Sequence, residues 1–266
     1  MLTNPHKRTW RKPHFIAHPA LRYAFFVGVF VYFFWAISTL PFNWERIQQG
    51  LTRAQIIFSS ALPPDFSRTE LLIEGFVESI KIAILATVLG VLISIPVALL
   101  SARNIVPAPV RTVGRFVIVV ARSFHPIIVA ILFVKALGFG PLAGVLTLAV
   151  YSLGFVAKLL ADAIEEIDQG QVEAIEATGA GRLKTLMYAV LPQVLPRQVG
   201  LTLYQLDSNL RASAIVGIVG GGGIGATLNS AFGRYDYDFA LAILLVVIAL
   251  ILISEGISGR LRRNFT

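Results

Sequence analysis

The chain contains no cysteine among its 266 residues, which excludes disulfides, thiolate metal sites and cysteine nucleophiles. Charge is scarce too: 14% of the residues are Asp, Glu, Lys or Arg, against about 25% in an ordinary soluble domain. No Gly-x-x-x-x-Gly-Lys-Ser/Thr loop is present to cradle nucleotide phosphates, and no His-Glu-x-x-His to hold a hydrolytic zinc. Acidic residues are outnumbered, leaving a formal net charge of +8. That excess suggests nucleic acid at first sight. A bilayer protein, however, gathers Lys and Arg on its cytoplasmic side for orientation and for contact with anionic lipid, which accounts for the charge with no nucleic acid as partner.

What is abundant is apolar sequence, 56% of the chain, and it comes in long runs: 21–40, 76–101, 116–137, 141–162, 198–218 and 238–257. About 20 residues rising about 1.5 Å each cross the roughly 30 Å hydrocarbon core of a bilayer. The runs are too long and too evenly apolar for barrel strands, so their backbone groups must be satisfied inside helices. The expected fold is an all-α polytopic membrane bundle of about six helices. Its divisions are a basic N-terminal tail (1–20), a first membrane helix (21–40), a core of five membrane helices (76–257) and a basic C-terminal tail (258–266). The first run follows Lys7, Arg8, Arg11 and Lys12 and superficially mimics a signal peptide. It is longer than a typical signal core and no small-residue cleavage pattern follows, so it is read as a retained membrane helix.

Orientation follows from the basic residues outside the runs. With the N-terminus inside, fourteen Lys and Arg lie on the cytoplasmic side and four, Arg46, Arg53, Arg68 and Arg234, on the other. Five more, Lys81, Arg122, Lys135, Lys158 and Arg211, lie within or at the edges of the runs. The asymmetry predicts both termini in the cytoplasm, and with them the stretch from about 163 to 197. Here Ile164, Ile167, Val172 and Ile175 alternate with acidic residues, the pattern of a short amphipathic helix broken near Gly170 and again at Gly179. By charge alone it could equally be a solvated loop.

Glu173-Ala-Ile-Glu-Ala-Thr-Gly179 is followed after nine residues by Ala189-Val-Leu-Pro192. This resembles the cytoplasmic coupling motif of ATP-binding cassette (ABC) importer permeases, which reads Glu-Ala-Ala, three residues, Gly, nine residues, Ile, one residue, Leu-Pro. Glu173, Ala174, Gly179, Leu191 and Pro192 match; Ile175 and Ala189 depart but stay apolar. The stretch from Asp207-Ser-Asn-Leu-Arg211 to Gly217-Ile-Val-Gly-Gly-Gly-Gly-Ile-Gly225 is similar to the permeases of phosphonate importers, with Asp207 where that family more usually has Glu. Ala163-Ile-Glu-Glu-Ile-Asp168 and Arg122-Ser-Phe-His-Pro126 also look like corresponding stretches, apart from His125. The resemblance implies a type I importer permease in the bacterial inner membrane, working as a homodimer without catalysis of its own. It implies two cytoplasmic ATPase subunits docked on segment 163–192, carrying the ATP and Mg, and an extracytoplasmic binding protein. No cofactor or metal is expected on this chain. The implied solute is a phosphonate, with phosphite, hypophosphite or phosphate as close alternatives.

Polar groups inside the runs mark the expected solute path: Arg122, His125, Asp207, Asn209 and Arg211. A charge at mid-bilayer costs roughly 2.5–3.5 kcal/mol on insertion scales, so such groups call for inward, paired or watered positions. Asp207 and Arg211 stand one turn apart and could be a purely structural ion pair; His125, before Pro126, could simply fill a kink. Gly220, Gly222 and Gly225 fit Gly-x-Gly-x-x-Gly, but a dinucleotide site needs a preceding strand, so an irregular turn at the end of the fifth helix is expected instead. Gly154, Gly200 and Gly217 are read as helix-packing positions. An ion-coupled secondary transporter would show repeated halves with broken helices, and an intramembrane enzyme a nucleophile-base or metal constellation; neither is evident.

Overall fold

The computed structural model describes residues 18–41 and 43–262. The basic residues Lys7, Arg8, Arg11, Lys12 and Arg263 of the two tails lie outside the described residues. The described residues are helical, with no strand among them. They fall into two compact units, divided between Gln55 and Ile56.

In the first unit, α1 (Pro19–Thr39) opens on Pro19, which needs no hydrogen-bond acceptor for its missing N–H. Its Phe, Tyr, Trp and Val side chains are exposed all round, the surface of a helix whose solvent is lipid. Most of α2 (Trp44–Ser60) belongs here too. No helix was expected at this point, because hydropathy averages out over an amphipathic segment. Trp44, Ile47, Leu51 and Phe58 share one face, while Glu45, Gln49 and Arg53 point elsewhere.

The second unit is built on α3 (Thr69–Leu99) and α6 (Pro141–Glu165), the largest helix–helix contact in the chain. Small residues bring them together: Ala83, Ala86, Ala149 and Ala157 are buried, and a Cβ on Gly90 would stand 2.4 Å from that of Ser152. Near the start of α3, Arg68 bonds Asp236 at 2.9 Å and lies over the Phe239 ring of α11 (Tyr237–Arg262). The neighbouring Asp65 carboxyl is held below its ordinary pKa by the Ser67 backbone N–H.

Three membrane runs depart from their expected form. The run expected at 116–137 is two helices, α4 (Ala108–Ser123) and α5 (Pro126–Leu137), bent by 89°. Pro126 forces the preceding residue out of the helical region, and Phe124 and His125 are both extended. The fifth run begins far earlier than 198, continuing through α8 (Arg182–Thr185), a π-helical turn (Leu186–Val190), α9 (Leu191–Val216) and a second π-helical turn (Gly217–Gly221). Beyond it stands α10 (Gly223–Gly233), bent by 54° from the run before it, where only a turn was expected. The joint needs glycine: Gly220, Gly222 and Gly223 have φ of 103°, 79° and 71°. Among the described residues four helices are long and apolar enough to cross a membrane, or up to six if each bent pair is one span. The expected α3 start at 76 moves to Thr69, since a first turn carrying Glu70 reads as loop on hydropathy.

Candidate functional site

Arg122 and His125 flank the α4–α5 break. Both are exposed there, on an opening of about 400 Å³ shared with Phe124, Pro126, Tyr151 and Phe155. The backbone of α4 passes so near α6 that a Cβ on Gly154 would stand 2.8 Å from Arg122 Cγ, so the arginine stem is pinned while its guanidinium stays at the opening. Arg122 has no ion-pair partner among the described residues. His125 caps α5: its Nδ1 accepts a long 3.4 Å bond from the Ile127 N–H, which fits the kink role, and its exposure leaves it at the opening as well.

Phe155 of α6 stacks on Tyr204 of α9, centroids 5.4 Å apart and planes at 25°. Tyr204 and Arg211 are two turns apart on the same side of α9. An aromatic pair therefore leads from the Arg122 opening toward the face that carries Arg211. The sequence gives no separate signal for Phe155 and Tyr204, because aromatics in an apolar run look like ordinary filling.

Asp207 and Asn209 sit inside the packing and away from the opening. Asp207 is 3% exposed, accepts from Arg211 through one oxygen and from Ser254 of α11 at 2.8 Å through the other. Asn209 is fully buried. Its amide donates to Thr87 of α3 at 2.9 Å and to Ser152 of α6 at 2.8 Å, while its oxygen accepts from Gln205 at 3.0 Å. With both donors occupied, Asn209 ties three helices together and leaves nothing for a solute. Buried networks satisfied this fully fix helix register.

The segment after α6 folds as a short helix, as expected, with its break displaced. Asp168, not Gly170, marks the boundary: its side chain accepts from the Gly170 N–H at 2.9 Å as the N-cap of α7 (Gln169–Ala177). Val172 packs onto the core cluster of Ala161, Ile164 and Val190, while Glu173, Ala174 and Glu176 face outward. Gln193 holds the segment to the start of α9, accepting from the Asp168 N–H at 2.9 Å, and Arg197 pairs with Glu166 at 2.5 Å. Gly179 has φ of +78°, so the chain turns there as a residue without Cβ allows. Leu191 and Pro192 open α9, exposed, directly after the π-helical turn.

Two glycine readings gain content and one loses it. Gly154 packs on α4, and a Cβ on Gly217 would stand 2.4 Å from the Gly222 oxygen, whereas a Cβ on Gly200 would meet nothing within 4 Å. A residue missed in the sequence is Glu78. From inside the second expected run it accepts from the Gly223 N–H at 2.9 Å, and its neighbour Ser79 accepts from the Ile224 N–H at 2.9 Å. Together they cap the free amino end of α10, a role visible only once α10 itself is seen.

Residues 90–266 match the family described as binding-protein-dependent transport system inner membrane components. The chain is 38% identical over 239 residues to the phosphite transport system permease protein PtxC of Stutzerimonas stutzeri, covering 90% of this chain and 86% of that protein. It is 43% identical over 208 residues to the phosphate-import permease protein PhnE of Mycolicibacterium smegmatis, covering 77% of this chain but only 39% of that protein. Its fold is similar to a chain of the inward-facing MetNI methionine ABC transporter, at a TM-score of 0.67 and 25% identity, over 76% of this chain and 99% of that one. With several membrane-length helices around a type I permease core, this chain belongs to the family of inner-membrane permease components of binding-protein-dependent ABC importers.

Proposed function

We propose that the chain carries a phosphorus oxyanion, a phosphonate or its relatives phosphite and phosphate, by alternating access. Supporting this are the names of its relatives and one observation above all: an arginine at the break of a bent apolar helix pair, without a carboxylate partner among the described residues, at an opening lined by His125, Tyr151 and Phe155. A planar guanidinium suits a tetrahedral oxyanion because its N–H groups form a fork of charge-assisted donors. Arg211, paired with Asp207, offers a weaker hold, and a path must bind weakly enough to release.

The energy comes from outside the chain. In this reading two partner ATPase subunits bind ATP and Mg and seat the exposed face of α7, with Glu173, Ala174 and Gly179, in a groove; an extracytoplasmic protein delivers the solute; and two copies of the chain enclose the path. Both termini are cytoplasmic. Closure of the ATPases pulls on segment 163–192, whose ties through Gln193 and Arg197 to α9 pass the displacement to the helices. Uptake by proteoliposomes holding the assembled transporter tests the solute site. Arg122→Gln is expected to abolish phosphonate, phosphite or phosphate uptake with assembly unchanged, and Arg122→Lys to restore part. Wild-type uptake in the Gln variant would defeat the assignment.

A further inference from the structure

The arginines of α4 stand at 111, 115 and 122, spacings of four and seven that stack them on one face. That face meets α6 with the helices running in opposite senses, since Arg115 bonds Glu165 at 2.8 Å while Arg122 lies against Gly154. Lys158 stands one turn from Gly154, between those two contacts, and pairs with Asp162 at 2.5 Å. The groove between the helices opens beside Lys158 and Arg115 twice: in a small cavity of about 110 Å³ and in a wide mouth of about 640 Å³ that also takes in Arg103 and Arg111. Cations thus line α4 over about 16 Å of helix, continuing from the Arg122 opening to the mouth. By the charge asymmetry Arg111 and Arg115 stand on the cytoplasmic side, so the mouth opens to water there, and of the row only Arg122 lies inside an apolar run.

We infer that Lys158, with Arg115, forms a second oxyanion station on the solute path, one helical turn along the α4–α6 groove from Arg122. The identity of the solute rests on the proposed function; the station itself rests on the groove. Four cations at the mouth, Arg103, Arg111, Arg115 and Lys158, face two carboxylates, Asp162 and Glu165. Glu165 is fixed by the Arg103 backbone N–H at 2.8 Å and by Arg115. The Lys158–Asp162 pair is looser in kind: its side chains are 39% and 32% exposed, and Lys placed N-terminal to the acid is the weaker arrangement on a helix. An ammonium on a flexible stem swings from Asp162 to an arriving anion, and Asp162 then competes to reclaim it, which keeps the station from trapping its solute.

The absence of native cysteine gives a direct test on the transporter assembled with its partners. A single Val119→Cys, an exposed position lining both cavities, is labelled with an anionic sulfonatoethyl and a cationic trimethylammonioethyl thiosulfonate. Relative to a free thiol, the anionic reagent is expected to react about tenfold faster than the cationic one. Lys158→Gln should bring that ratio toward one, Lys158→Arg should preserve it, and inorganic phosphate should slow the anionic reagent. No labelling, a ratio near one, or a ratio indifferent to Lys158→Gln overturns the station. In uptake, Lys158→Gln is expected to lower the maximal rate without moving the half-saturating concentration, because capture precedes this point. Unchanged uptake would also overturn it. A wild-type transporter that moves no phosphorus oxyanion refutes the proposed function, and the labelling ratio then still decides whether the groove is an anion station.

Discussion

Asp207 binds Arg211 one turn along α9 and Ser254 across on α11, one carboxylate oxygen to each. The buried carboxylate thus both seats the arginine and joins two helices. Ser254→Ala removes a buried hydrogen bond to a carboxylate and is expected to lower stability by about 2 kcal/mol with uptake retained. Asp207→Asn should destabilise more and also free Arg211. Arg211→Gln should cut uptake severely and Arg211→Lys recover part of it. Thermal unfolding in detergent beside uptake in proteoliposomes separates the two effects: Arg211→Gln that lowers the melting temperature but transports normally would make the pair purely structural.

Gly179 closes α7 at φ of +78°, with open space where a Cβ would go. The constraint is therefore backbone alone. A left-handed residue other than glycine costs roughly 1–2 kcal/mol, and Asn tolerates the conformation best. Gly179→Asn is expected to keep most ATP-driven uptake, whereas β-branched Gly179→Val should lose it while the chain still inserts. Equal transport by the two variants, with the ATPase bound, would remove this turn from the coupling.

The amino end of α10 hangs on Glu78 and Ser79 of α3, and its first turn admits no side chain against α9: a Cβ on Gly225 would fall 1.9 Å from the Ala214 oxygen. Ser79→Ala should cost about 1 kcal/mol, the usual value of a helix cap. Gly225→Ala has no room without moving α9 and should abolish folding or transport. A Gly225→Ala protein as stable as wild type would contradict this close approach.

These cases show where the sequence is legible. Membrane runs and the short helix after α6 can be read, since hydropathy sums over twenty residues and the acidic amphipathic stretch ends at Gly179. Direction is lost in such sums. The 89° break at Phe124–His125 lies inside an apolar stretch, α10 hides behind a glycine run that looks like an ending, and α2 averages to neutral. Asp207, Asn209 and Arg211 stand close in sequence, yet at 3.6 residues per turn Asp207 and Arg211 share a face and bind each other while Asn209 between them turns to α3 and α6. Only packing tells the buried network around Asn209 from the half-buried Arg211. Lys158 reads only as a lysine near the edge of a run until α4 is seen laying its arginines beside it.

Orientation is testable on the same cysteine-free background. With both termini cytoplasmic, a Cys at Ser60, in the exposed final turn of α2, should react with a membrane-impermeant thiol reagent added from outside and stay silent from the cytoplasmic face. Labelling only from the cytoplasm would invert the topology and with it the docking side of α7.

The central claim is that the chain moves a phosphorus oxyanion at the expense of ATP on partner subunits. ATP-driven uptake by proteoliposomes holding the transporter with its ATPase and binding protein, measured for methylphosphonate, phosphite, phosphate, sulfate and methionine, tests it most directly. The expected result is uptake of at least one of the three phosphorus anions, dependent on ATP and lost in Arg122→Gln, with sulfate and methionine excluded. Uptake of methionine or sulfate in place of all three, or phosphorus uptake untouched by Arg122→Gln, would contradict it.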